Sequence, residues 1–359
     1  MYQRTVIQTV SDFRGNEVQL VPEGLVSSKP VRSMNPAPQA ETAVRGGGWL
    51  RREEAIMGTS VSVELWSDDR AAGEAAIAAV MADMQRIDWT MSPVKASSEL
   101  SRINREAAAQ PVALSNELYG LLERALHFSR LSDGAFDITY ASAGQLYDYR
   151  EQRAPSDAEL AAARAAIGWQ QLLLDPQHKT VRFGHPGMRI DLGGFAKGHA
   201  VDRAAAILRG HGIRHAVVAA GGDSYVLGDR RGRPWNIAVR DPRRPGEVVA
   251  LLPLEDVAMS TSGDYERFFE RNGERFHHVI DPKTGRSAHG VRSVTILAED
   301  GLTSEGLSKS VFVKGLAEGM RLVESQEGVD AIVIDADGVL HYSSGLLGAA
   351  PQSGNPGRQ

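Results

Sequence analysis

Apolar positions follow two periods along the chain, and the switches between them outline the elements. Residues 55–66 alternate, with Ile56, Val61, Val63 and Leu65 prominent, which predicts a strand. From about Asp69 the period lengthens, and Ile77, Val80, Met81, Met84 and Ile87 fall at helical spacing. A second helix is expected from Ser115, presenting Leu118, Leu121, Leu122 and Ala125, with Asp133-Gly134 as its stop. Ser156-Asp157-Ala158-Glu159 has the form of a capping box and opens a third. Short runs at 171–174, 180–183 and 188–192 predict strands, followed by a helix over roughly 197–209. Further strands are expected at 215–220, 235–240, 248–254 and 292–297, with hairpins turning at Arg271-Asn272-Gly273 and Asp335-Ala336-Asp337-Gly338. Helices early and late, with hairpins between, predict an α+β fold rather than a doubly wound α/β sheet.

Residues 1–47 carry no lasting period, hold Pro30, Pro36 and Pro38, and read as a tail or linker. Residues 346–359 read as a second loose end, which leaves one folded unit over 48–345. Hydrophobic residues at 42% and charged residues at 24% lie near the globular norm and exclude a disordered chain. The net charge of 40 − 45 = −5 gives no footprint for nucleic acid or an anionic membrane surface. The absence of cysteine excludes disulfides, thiolate metal sites and a Cys nucleophile. No apolar run reaches the ~18 residues of a membrane span, and Met1-Tyr2-Gln3-Arg4 opens no apolar export segment, so a cytoplasmic location is the expectation. The 37 glycines point to many tight turns and close backbone approaches, as sites for phosphate often need.

Five segments place polar groups in glycine-bearing loops beside strands. They start at Met57-Gly58-Thr59, Asp133-Gly134, Asp191-Leu192-Gly193-Gly194, Ser260-Thr261-Ser262-Gly263 and His277-His278. A strand followed by a glycine turn explains any one of them alone. Gly193, Gly194 and Gly198 would let backbone N–H groups approach phosphate, with the positive end of the following helix behind them. Lys197 at that helix start is either a phosphate-directed point charge or a solvated lysine. His278 is by residue type the best general acid or base, titrating near neutrality, unless it is a core or hairpin-surface histidine.

Taken in order, these segments resemble one family, the FAD:protein FMN transferases or ApbE family. Residues 57–59 match its MGT, 98–104 its S-x-L-S-x-x-N stretch and 133–139 its DGxFDIT. Residues 191–198 match DLGGxAKG, 219–223 the alanine-to-glycine GGD loop, 260–267 STSGDYER and 278–285 H-x-x-DP-x-TG. The resemblance spans about residues 50–345 and implies an ApbE-like, T-fold-related fold, with an antiparallel sheet core and flanking helices. It implies that a Thr or Ser hydroxyl of an acceptor protein, a redox subunit, attacks the FMN-side phosphorus of FAD and that AMP leaves. It further implies an FAD cleft lined by Met57, Ala135, Phe136, Asp137, Asp191, Lys197 and Ala288, and a Mg²⁺ site at Gly194 and Glu305. Family members are often exported or lipid-anchored, which makes a periplasmic or membrane-anchored location the alternative.

Two positions depart from the family pattern. Val94 stands where a tyrosine is usual, removing a stacking partner. In residues 304–315, Glu305 replaces an Asp and Lys309 replaces a metal-binding Thr. A lysine ammonium cannot ligate a metal. Glu305 and Lys309 are therefore either an i,i+4 surface ion pair, or Lys309 occupies the metal's place and neutralises the pyrophosphate itself. The departures leave a non-catalytic FAD-binding homologue as the alternative function. A serine β-lactamase set can also be assembled from Ser92-Pro93-Val94-Lys95, Ser132-Asp133-Gly134 and Lys283-Thr284-Gly285, but the first lies past a helix end and the last reads as a turn.

Overall fold

The computed structural model describes residues 47–347, together with a short strand pair, Val10–Ser11 with Glu17–Val18. The tails expected at 1–47 and 346–359 lie almost wholly outside the described residues. Eight strands form one sheet: β1 (Gly48–Ile56), β2 (Thr59–Ser67), β3 (Ala216–Ala220), β4 (Asp223–Leu227), β5 (Val257–Gly263), β6 (Val291–Ala298), β7 (Asp330–Asp335) and β8 (Leu340–Tyr342). They lie side by side in chain order, and every neighbouring pair is antiparallel. The fold is α+β with an antiparallel sheet at its centre, as the sequence pattern predicts.

Period-two alternation sends the two sides of each strand into separate cores. Val61, Val63 and Leu65 of β2 and Val294, Ile296 and Ala298 of β6 face the larger core. That core is closed by α1 (Arg70–Met91), α2 (Glu99–Glu106), α3 (Asn116–Leu131), α4 (Ala196–Gly210) and α5 (Gly301–Glu324). On the opposite side Met259, Leu297, Ile332 and Ile334 meet a hairpin made of Trp235–Arg240 and Val248–Leu254. No helix among the described residues is long and apolar enough to cross a membrane.

Several local signals hold in detail. Asp69 caps α1 by accepting from the Ala71 and Ala72 amides. Ser156 and Glu159 form the reciprocal capping box. Asp335 accepts from the amides of Asp337 and Val339 and so closes the last hairpin.

Three expectations change. The strand expected over 55–66 is two strands, because Met57 and Gly58 both take positive φ (54° and 69°) and turn β1 into β2. Two such residues are what a two-residue hairpin requires. The strand expected at 188–192 does not form. Met188, Ile190 and Leu192 alternate into the core, but the Asn104 side chain pairs with the Ile190 backbone, accepting at 2.8 Å and donating at 2.9 Å. Finally, Ser260 to Gly263 are not a loop; they lie in the central strand β5, where buried hydroxyls replace apolar side chains.

Helices α4 and α5 cross at a point where neither tolerates a side chain. A Cβ on Gly198 would fall 2.2 Å from the Gly301 carbonyl oxygen, and one on Gly301 would fall 2.4 Å from that of Gly198. Asp202 adds a second tie, accepting from the Gly301 and Leu302 amides at 2.6 and 3.1 Å. Because backbone meets backbone here, Gly198→Ala should destabilise the protein by about 1–3 kcal/mol or more. A urea midpoint unchanged from the parent would show that the crossing has slack.

Candidate active site

The α4–α5 crossing carries a closed ring of polar side chains. Lys197, in the first turn of α4, donates to the Gly193 carbonyl at 2.8 Å and pairs with Asp223 of β4 at 3.1 Å and with Glu305 of α5. Glu305 is wholly buried, and its second oxygen accepts from the Gly198 amide at 2.7 Å. One helical turn on, Lys309 donates to Ser262 of β5 at 2.8 Å and lies 3.9 Å from Glu305. The hydroxyls of Ser262, Ser308 and Ser260 follow in series at 2.8 and 3.1 Å, and Ser260 donates to Asp223 at 2.6 Å. Two ammoniums and two carboxylates thus alternate in a site where unpaired charge would be costly.

Burial works against the Lys197 charge, but Asp223 and Glu305 outweigh it and hold its pKa above the usual lysine value. Lys309 goes the other way. Burial lowers its pKa and Lys197 adds to that, with Glu305 and Asp223 opposing. Burial raises the Glu305 pKa, Asp223 adds to it, and the two lysines oppose. Of the two readings open for this pair, the surface ion pair is excluded, since Glu305 is wholly buried.

The glycine loop before α4 sits beside this ring. Asp191 accepts from the Gly193 amide at 2.5 Å, and burial raises its carboxyl pKa against the pull of that bond, Lys197 and Arg267. A Cβ on Gly194 would lie 3.2 Å from Lys309 Cε, so the lysine stem runs along the loop. The N-terminus of α4 is not a vacant anion cradle, since Glu305 already takes the Gly198 amide.

His278 follows the strand Glu274–His277, with its amide donating to the Arg267 carbonyl at 3.1 Å. The residue is half-buried, yet its Nδ1 is sealed from solvent and meets no hydrogen-bond partner. Burial, then Lys309, His277, Arg267 and Lys197, push its pKa down to about 3. The expectation that it titrates near neutrality is corrected: its imidazole is neutral at pH 7. The neighbouring His277 faces elsewhere, bonding to the Ala288 carbonyl at 2.7 Å.

The structure brings Gly194, Lys197, Glu305 and Lys309 into contact, and places Asp191 and His278 within electrostatic reach of Lys197. Met57 lies in the β1–β2 turn, whose Gly58 would carry a Cβ 3.4 Å from the Arg267 guanidinium. Phe136 packs on Phe195 with ring centroids 5.1 Å apart, and Ala135 is buried next to it. Asp137 has both oxygens engaged, by Thr139 and by the Trp169 amide at 2.8 Å. Ala288 enters through its backbone, donating to the Val279 carbonyl and accepting from His277. Asp223, Ser262 and Arg267 were quoted only as members of sequence segments, with no role given to them. Of the three only Asp223 had a local signal, an acid directly after Gly221 and Gly222.

The carboxylates of the ring offer the implied divalent ion no vacant oxygen. Both Glu305 oxygens and both Asp223 oxygens are taken by donors, and the nearest additional group is an ammonium. Among the described residues no group of three or more His, Asp or Glu is placed to hold a metal. The residues present do not fit Mg²⁺, which demands several oxygen ligands at about 2.1 Å.

The chain is similar to the FAD:protein FMN transferase of Treponema pallidum, 34% identical over 315 residues that cover 82% of this chain and 87% of that one. Among solved structures it is similar to the ApbE protein of Thermotoga maritima, with a TM-score of 0.77, 34% identity, and 83% and 97% of the two chains covered. It is also similar to the flavin transferase ApbE of Vibrio cholerae, with a TM-score of 0.76, 29% identity, and 84% and 98% covered. The sequence profile of the ApbE family matches residues 57–333, so the loops, the ring and strands β2 to β6 lie within the match, and the chain belongs to the ApbE family.

Proposed function

We propose that this protein transfers FMN from FAD to a Thr or Ser hydroxyl of an acceptor protein and releases AMP. One observation carries the assignment to this site: a neutral histidine with an unpartnered, sealed Nδ1 lies within reach of Lys309, Arg267 and Lys197. The acceptor oxygen forms a bond to the FMN-side phosphorus, the bond from that phosphorus to the AMP oxygen breaks, and the hydroxyl proton must be removed. As a neutral imidazole, His278 can accept that proton. The cations nearby answer the other demand of phosphoryl transfer, which is to neutralise charge on the transferring group. Arg267 is exposed and has no ion-pair partner among the described residues, so its charge remains available to a phosphate. The name shared by the similar proteins, FAD:protein FMN transferase, supports the reaction itself.

Two measurements test it. Titration should show saturable binding of FAD and far weaker binding of riboflavin, which has no phosphate; equal affinities would remove the pyrophosphate from the site. Separately, His278→Ala should lower FMN transfer, read by intact mass of the acceptor, by about 10²–10⁴-fold. Because the free-enzyme imidazole titrates at about 3, kcat/KM should show no acid limb from His278 between roughly pH 5 and 8. An acid limb near the ordinary histidine value that vanishes in the variant would contradict the neutral-base assignment.

A further inference from the structure

We propose that this chain supplies its own cation to the phosphate cleft, the Lys309 ammonium standing where a divalent ion is implied, and that it binds FAD without metal. The proposal rests on the FMN-transfer reading of the site and adds to it what neutralises the substrate.

The lysine is built in rather than stray. Its stem passes within 3.2 Å of the Cβ position of Gly194, so a larger residue there would displace it. Its ammonium is anchored on Ser262 at 2.8 Å. Ser262 also meets the Ser308 hydroxyl at 2.8 Å, Ser308 reaches the Glu305 carbonyl at 3.0 Å, and Ser260 donates to Asp223. An ammonium can only donate, so Ser262 gives it a lone pair. The Ser262 oxygen is thereby occupied by the ammonium rather than open to a metal ion.

Charge points the same way. With Asp223 and Glu305 ionised, Lys197 and Lys309 balance them, so the ring is neutral. A divalent ion added between two ammoniums would meet like charge on both sides and no unengaged carboxylate. Lys309 keeps 17% of its side chain exposed and Lys197 keeps 19%, so neither side chain is sealed off from solvent. Of the two ammoniums Lys309 is the less tightly paired, 3.9 Å from Glu305, which leaves its charge for a phosphate.

The test is calorimetric titration of the full chain with FAD, once in EDTA and once in excess Mg²⁺. The expected result is the same affinity in both, within about twofold. Titration of the protein with Mn²⁺ in the presence of FAD, followed by electron paramagnetic resonance, should leave the free-ion signal intact. Lys309→Gln should weaken FAD roughly 10- to 100-fold, the scale for a lost charged hydrogen bond, and leave riboflavin unaffected. The double variant Glu305→Asp with Lys309→Thr should gain FAD affinity on addition of Mg²⁺. FAD binding to the parent protein that requires Mg²⁺, or stoichiometric loss of the Mn²⁺ signal, would overturn the lysine proposal while leaving FMN transfer standing. Failure to bind FAD with or without metal would overturn both. The parent measurements decide the matter even if a variant does not fold.

Discussion

The site depends on one buried carboxylate. Glu305 has no solvent exposure, and it holds α4 to α5 through Lys197 and through the amide of Gly198. An ion in such a place is tolerated only when its partners are complete, and removing one partner of a buried pair typically costs about 3–5 kcal/mol. The glycine pair at the crossing allows that closeness, because only backbone against backbone brings the α4 amide within reach of a side chain on α5. From there the order extends outward. Lys197 fixes the Gly193 carbonyl and so the loop, and Asp223 fixes the serines of β5. Packing of helices on a sheet thereby becomes a geometry of charges.

Much of this was legible in the chain, for reasons that differ by residue. Caps and the Asp335 hairpin were readable because side chain and backbone interact within four residues of each other. The Met57-Gly58 turn was obscured by an apolar residue in a left-handed conformation, inside a run whose alternation continued through it. Residues 188–192 alternate like a strand because their side chains are buried like one. The difference lies in an asparagine 86 positions away that substitutes for a strand partner. The serines of β5 looked like loop because buried hydroxyls cannot be told from exposed ones until their partners are known.

For Glu305 and Lys309 the sequence left two readings open, a surface ion pair or a lysine in the metal's place, and it could not report their depth. An i,i+4 Glu–Lys pair on a helix reads as a surface feature, because most such pairs are. Here the same face turns inward, since β4 and β5 bring Asp223 and Ser262 to meet it. The histidine shows the same effect on its chemistry. Residue type alone predicts titration near neutrality, whereas burial among cations leaves a neutral base. Both shifts come from tertiary neighbours that no local spacing reports.

The chain-order sheet has a consequence for how the protein is made. The ring draws on Lys197, Asp223, Ser260, Ser262, Glu305 and Lys309, so its first and last members are 309 − 197 = 112 residues apart. At the usual roughly 5–20 residues per second of synthesis, Lys197 leaves the ribosome about 6–22 s before Lys309. Through that interval α4 has neither the carboxylate that caps it nor the glycine it packs against. A nascent chain therefore holds a loop and a half-built ring until the first turns of α5 have left the ribosome.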